Sequence, residues 1–211
     1  NVFAVGDYGT VLHYDGATWT TMASGTSVQL LGVWGSSPSD VFAVGSGIIL
    51  HYDGLRWSTV NSGGAATHDV WGTSASDVYA ASDGGTMHYD GSAWSTMPSS
   101  PSGRGVWGAS AFDVYSVRYG ENVYRYDGAT WTTTNTGVTR DLRAVWGAPA
   151  TDVYIASNDP SAYAYYVLRG VRGATITVSN TMPVLAGIGV GMPLTATAFS
   201  GATAISGVTF T

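Results

Sequence analysis

The chain has no cysteine and no lysine, a single glutamate (Glu121), and charged residues at only 10% of its 211 positions. Each shortage removes a class of function. Without cysteine there is no disulfide, no thiolate nucleophile and no Cys-based metal site. Eight scattered arginines in a chain of net charge −6 and pI near 4.8 give no clustered basic face, so no nucleic-acid partner is expected. No apolar run approaches the roughly 20 residues that a membrane-spanning helix needs. Glycoside hydrolysis normally requires two carboxylates about 5–10 Å apart, and no aspartate stands out as a partner for the lone glutamate. Fingerprints for a serine nucleophile elbow, a phosphate loop or a dinucleotide fold are missing as well. Neither an enzyme nor a cofactor is expected.

What the chain does contain is a repeat. Hydrophobic residues make up 45%, enough for a substantial core. Val-Trp-Gly occurs four times, with Trp34, Trp71, Trp107 and Trp146 spaced 37, 36 and 39 residues apart. Tyr-Asp-Gly-x-x-Trp also occurs four times, with Trp19, Trp57, Trp94 and Trp131 spaced 38, 37 and 37. All eight tryptophans are therefore repeat positions. A period of about 40 residues holding several short strands is the signature of a propeller blade.

Residues 31 to 60 serve as the model unit. Leu31 to Gly35 reads as a short inner strand, and Ser36 to Asp40 as a turn containing Pro38. Val41 to Val44 is β-branched or aromatic and gives a second strand, Gly45-Ser46-Gly47 a tight turn, and Ile48 to Tyr52 a third strand. Asp53-Gly54 predicts a two-residue primed hairpin turn, and the outer strand follows from Arg56. The expected fold is all-β: a β-propeller of about five four-stranded blades, four regular and one degenerate. The units run about 1-30, 31-66, 67-102, 103-141 and 142-178. The first begins inside a repeat, because Asn1 to Gly6 aligns with Asp40 to Gly45, so the chain reads as part of a longer polypeptide. Residues 179-211 fit two readings, the start of a truncated immunoglobulin-like sandwich or a closing strand.

The repeat Trp34-Gly35-Ser36-Ser37-Pro38-Ser39-Asp40-Val41-Phe42-Ala43-Val44-Gly45, followed by Ile49-Leu50-His51-Tyr52-Asp53-Gly54, resembles that of bacterial secreted β-propeller proteins of the myxobacterial type. The likeness covers about residues 1–155. It implies an exported or cell-surface protein that binds or displays, and it carries no catalytic residues. Tyr-Asp-Gly-x-x-Trp is also loosely similar to the Asp-box of sialidase-like propellers, which has one more residue between Asp and Trp. The tail from Gly191 resembles the opening strands of bacterial immunoglobulin-like repeats.

Repetition also suggests rings of ligands. Asp15, Asp53, Asp90 and Asp127 could line a calcium or sugar site, but each opens a hairpin turn, which is reason enough for an aspartate there. His13, His51 and His88 share one repeat position with Arg125. Blades about 10 Å thick hold them too far apart for one ion, so packing between blades with one hydrogen bond each is expected. Departures from the repeat are better candidates. The hairpin Arg118, Tyr119, Gly120, Glu121 and Asn122 replaces a simple Asp-Gly turn. A tyrosine-rich insertion carries Asn158, Asp159, Tyr163 and Tyr165. Such groups suit contact with a protein or glycan partner. The function expected is non-catalytic binding or display outside the cytoplasm. A lectin or remnant sialidase-like glycosidase, and a subunit of a larger surface assembly, are the alternatives.

Overall fold

In the computed structural model the chain is described over residues 1–62, 64–137, 141–147, 152–159, 164–171, 180–184, 194–200 and 203–210. Side chains are described for 1–61, 64–137, 141–147, 152–157 and 167–170. Twenty-one strands make up the described elements, with one short 3-10 turn at Asp7–Gly9. The first sheet has three strands, β1 (Val2–Val5), β2 (Val11–Tyr14) and β3 (Trp19–Met22). Four four-stranded sheets follow, each an antiparallel meander in chain order. They are β4 (Leu30–Ser37), β5 (Asp40–Gly45), β6 (Ile48–Tyr52) and β7 (Trp57–Ser62); then β8 (Thr67–Ser74), β9 (Asp77–Ser82), β10 (Gly85–Tyr89) and β11 (Trp94–Thr96). The next is β12 (Gly105–Ser110), β13 (Asp113–Val117), β14 (Asn122–Tyr126) and β15 (Trp131–Asn135). The last is β16 (Asp141–Gly147), β17 (Asp152–Asp159), β18 (Ala164–Val171) and β19 (Asn180–Val184). A hairpin of β20 (Leu194–Ser200) and β21 (Thr203–Phe210) forms a sheet of its own. This is the all-β, blade-like architecture that the repeat predicts.

Two details differ from expectation. Tyr52 pairs with Trp57, so the Asp53-Gly54 hairpin has a four-residue loop instead of a two-residue turn. The Asp53 carboxylate is the reason: one of its oxygens accepts the N–H groups of Leu55 and Arg56, at 2.9 Å each, which closes the wider loop. The fifth sheet, although it lacks the Tyr-Asp-Gly hairpin, still gains an outer strand, β19, which lies beyond residue 178 where the sequence units stop. Of the possible closing strand 184–189, Val184 ends β19 in the fifth sheet, and residues 185–189 lie outside the described residues.

The core is divided among the sheet interfaces. Val11, Leu30, Val41, Ala43 and Leu50 bury between the first and second sheets, and Phe42, Val44, Ile49, Val70 and Val78 between the second and third. Tyr79, Ala81, Val106 and Val114 do so between the third and fourth. Tyr115, Val117, Leu142, Ile155 and Leu168 fill the last interface. Because the central strands are covered on both faces, they read as continuous apolar runs. The outer tryptophans meet the aromatic of the preceding sheet edge-on: Trp57 against Phe3 at 6.2 Å and Trp94 against Phe42 at 5.7 Å.

The inner tryptophans act differently. A Cβ built on Gly72 would lie 2.7 Å from Cη2 of Trp34, and one on Gly108 would lie 2.6 Å from Cη2 of Trp71. Gly147 meets Trp107 in the same way. Trp34, Trp71 and Trp107 therefore each lie on the glycine of the next Val-Trp-Gly, and the motif is both plug and socket. Burying each ring contributes about 2–3 kcal/mol in transfer terms. Gly72→Ala and Gly108→Ala should each lower stability by about 1–3 kcal/mol through overpacking. Gly6→Ala, whose methyl meets nothing within 4 Å, should leave it unchanged. Urea denaturation of the three variants checks this.

Candidate functional site

The inner strands β4, β8, β12 and β16 are neighbours in that order. The residue three places before each tryptophan is Leu31, His68, Arg104 or Arg143. Close approach fixes the register. A Cβ on Gly32 would meet the backbone of Asp69 at 3.1 Å and of His68 at 3.3 Å. One on Gly105 would meet Ala144 at 3.0 Å and Arg143 at 3.2 Å. One repeat position thus becomes a row across four sheets, apolar at one end and cationic at the other.

The β13–β14 hairpin closes over the cationic end. Val117 pairs with Val123, which leaves Arg118 to Asn122 as the loop. Tyr119, exposed at its tip, has the guanidinium carbon of Arg104 4.5 Å from its ring centroid and that of Arg143 at 4.4 Å. Arg143 also donates to the Tyr119 hydroxyl at 2.9 Å and contacts Asp141 at 3.5 Å. The Arg104 guanidinium lies against the imidazole of His68, 2.9 Å from Nδ1. His68 Nε2 is 3.1 Å from Asp83 Oδ1, and Arg104 Nη2 is 3.4 Å from the same oxygen. Arg104 Nη1 is also 2.7 Å from His68 Nε2, so the guanidinium faces both ring nitrogens.

Of the sequence candidates, Tyr119 belongs to this cluster. Arg118 stands exposed beside it. Glu121 contributes its backbone carbonyl, which accepts the amide and hydroxyl of Thr136, both at 2.9 Å. Asn122 begins β14 opposite Asn135 and serves the ladder. Asn158, Asp159 and Tyr165 extend the β17–β18 ladder, with Asn158 opposite Tyr165; their side chains, and all of Tyr163, lie outside the described residues. His68, Arg104, Arg143 and Asp83 escaped the sequence reading. A signal existed in the changing residue three places before each tryptophan, but only the stacking of inner strands turns that column into a contiguous row.

The repeated aspartates do structural work. Asp15, Asp53, Asp90 and Asp127 each accept the backbone N–H groups two and three residues onward, at 2.7–2.9 Å. Those bonds stabilise the charged form and hold all four carboxyls below the usual range, Asp90 at about 2. The repeated histidines make the one hydrogen bond each that was expected of them, and its partner lies in their own sheet. His51 meets Asp40 at 2.6 Å and His88 meets Asp77 at 2.7 Å, while His13 meets Asn1 at 2.8 Å. Each ring also lies against the aromatic opposite it, Phe42, Tyr79 or Phe3, with centroids 4.5–4.6 Å apart. Arg125 takes the same place with Asp113 at 2.6 Å, and Arg169 with Asp152 at 2.8 Å. The degenerate fifth sheet therefore keeps the tie although its hairpin motif is gone.

Asp69 stands apart. Its carboxylate accepts the N–H of Val70 at 2.9 Å and, across the sheet interface, that of Val106 at 3.0 Å. Burial outweighs these bonds and pushes its pKa up to about 6.

Neither a known protein family nor any curated protein sequence matches the chain. Solved structures do resemble it. YCF48 bound to D1 peptide superimposes with a TM-score of 0.55 at 15% identity, over 83% of this chain and 76% of that one. YCF48 from Cyanidioschyzon merolae gives a TM-score of 0.57, also at 15% identity, over 74% of this chain and 63% of its own. At that identity the likeness establishes the fold: repeated four-stranded sheets of a YCF48-like propeller.

The raised pKa of Asp69 has a testable sign. In the folded state its proton is held to about pH 6, whereas the unfolded chain releases it near 3.8. Its stabilising contribution is full below pH 3.8 and is lost as pH rises through 6. The turn aspartates act oppositely, losing their contribution as pH falls below about 4. Thermal unfolding followed by circular dichroism should show Tm declining between pH 4 and 6.5, and Asp69→Asn should flatten that decline whatever its effect on absolute Tm.

Proposed function

We propose that this chain is a non-catalytic binding module that holds an extended segment of a partner protein across its inner strands. It would work outside the cytoplasm, as its likeness to bacterial exported β-propeller repeat proteins and its lysine-free, low-charge composition suggest. The observation that carries the proposal is the row Leu31, His68, Arg104 and Arg143, with Tyr119 laid against its two arginines.

The chemistry of that row favours a peptide. Tyrosine and arginine are enriched at the energetic centres of protein interfaces. An arginine fork can take a carboxylate through two parallel hydrogen bonds. Contact with Tyr119 holds both forks before any partner arrives, so less side-chain freedom is lost on binding. Leu31, 41% exposed, supplies an apolar anchor at the other end. The expected ligand is an extended segment with a carboxylate toward Arg104 and Arg143 and an apolar side chain toward Leu31. YCF48, of similar fold, is known bound to D1 peptide. That supports peptide binding by analogy of architecture.

Selection of random 12-residue peptides on phage against the intact chain tests the reading. Enriched sequences should pair an acidic with an apolar residue, and Tyr119→Ala or Arg143→Ala should weaken their binding about tenfold or more, ~1.4 kcal/mol. No enrichment, or peptides indifferent to both substitutions, would overturn it. So would specific binding to a glycan array without peptide enrichment.

A further inference from the structure

Three of the four histidines serve their own sheets, His51 with Asp40, His88 with Asp77 and His13 with Asn1. His68 is placed differently. It lies near the start of β8, in the row on which the partner segment rests, with its side chain only 12% exposed. Among the described histidines it alone has a guanidinium against its ring: Arg104 Nη1 is 2.9 Å from Nδ1 and 2.7 Å from Nε2. Asp83, in the turn between β9 and β10, closes the group. Its Oδ1 is 3.1 Å from His68 Nε2 and 3.4 Å from Arg104 Nη2. One carboxylate is shared by two bases, of which only the arginine is permanently charged.

Protonation of His68 changes the contacts that this group can make. A neutral imidazole keeps one nitrogen that accepts a hydrogen bond, so an N–H of Arg104 can point at it. An imidazolium has two donors and no acceptor, and it repels a guanidinium 2.7–2.9 Å from its nitrogens. The same charge is attracted to Asp83. With His68 neutral, Asp83 answers Arg104, and a partner's carboxylate must compete for that guanidinium. With His68 charged, Asp83 answers His68, and Arg104 turns to the partner. Other neighbours enter as follows. β4 comes against His68 at Gly32, with uncharged Leu31 beside it. Beyond Arg104 stand Tyr119 and Arg143, and Asp141 is held by Arg143. On β8 itself Asp69 follows His68, its carboxylate bound by the N–H groups of Val70 and Val106. Burial brings Asp69 into the same titration range, at about 6, so it needs its own control.

We propose that His68 is a proton switch on the binding row: when charged it takes Asp83 from Arg104 and releases that arginine to an acidic partner segment. The switch presupposes the peptide-binding row of the proposed function, and Asp83 acts in it as an internal rival of the partner's carboxylate. Binding is therefore tighter at about pH 5.5, where histidine is mostly charged and exposed carboxylates stay ionised, than at about pH 7.5. By linkage, binding of the acidic segment draws a proton onto the chain between those values. The repeat itself does not demand the arrangement. The place of His68 is taken by Leu31, Arg104 and Arg143 in the other sheets, and the histidines that tie strands together have no arginine at their rings.

Two measurements on the intact chain test the switch. Without any partner, NMR of the arginine Nε–H groups should show the Arg104 signal moving over the same pH interval as the His68 ring signals, and His68→Gln should hold it still. With a partner, the most enriched 12-residue phage peptide is synthesised with capped ends and no histidine, then titrated by calorimetry at both pH values. Affinity should be about fivefold or more higher at the lower pH, the low end of coupling between linked sites. His68→Gln should abolish the difference, and Asp83→Asn should bind more tightly than the unaltered chain at the higher pH. Asp69→Asn should keep the difference, which separates the two titrations. An Arg104 signal indifferent to pH, or a peptide bound equally at both values, overturns the switch and leaves the row intact. A difference that survives His68→Gln and disappears with Asp69→Asn overturns it as well. Enrichment of no peptide at either pH overturns the row itself, and the switch with it.

Discussion

The structure depends on an indole lying on a glycine. Sheets stacked face to face must be held at one spacing, and side chains of ordinary size on both faces would leave that spacing loose. Here the large partner and the empty partner come from the same three-residue motif: Trp34 rests on Gly72, Trp71 on Gly108 and Trp107 on Gly147. A motif that is complementary to the next copy of itself can be repeated without redesign. It also explains the glycine after the tryptophan at Gly72, Gly108 and Gly147, where even a methyl would strike the ring and a backbone carbonyl. Dense packing tolerates little such intrusion.

Polar residues that recur with the same period serve the individual sheet. An aspartate at the start of the second strand is bound by histidine or arginine on the third, and a second aspartate closes the outer hairpin with backbone N–H groups. These ties leave few charges for any other purpose. In a chain with eight arginines and no lysine, those that gather around Tyr119 are therefore conspicuous. They occupy a position where other repeats place leucine or histidine, so they can vary without disturbing the stack. Function is free to appear where the repeat places no structural demand.

The sequence made some of this legible for particular reasons. The tryptophan spacing fixed the number and order of the sheets, because only a repeated unit of several strands accommodates it. Tyr119 was visible as part of a hairpin that broke the pattern. Arg104, Arg143 and His68 were not, because residues 36 and 39 positions apart become neighbours only when inner strands stack. For the histidines, the single hydrogen bond was legible but its partner was not, because Asp40 and Asp77 come within reach only through the antiparallel pairing of the second and third strands. Hairpin type was misread at Asp53-Gly54 because the dipeptide signals a turn without stating its length, which the carboxylate decides.

The sequence by itself determined the strands of the repeated unit and their order, since alternation, turn residues and period are local or periodic properties of the chain. Tertiary structure alone decided which residues meet between repeats, and through them the Tyr119 cluster. Contacts between sheets depend on register and facing direction, and a linear list of residues records neither.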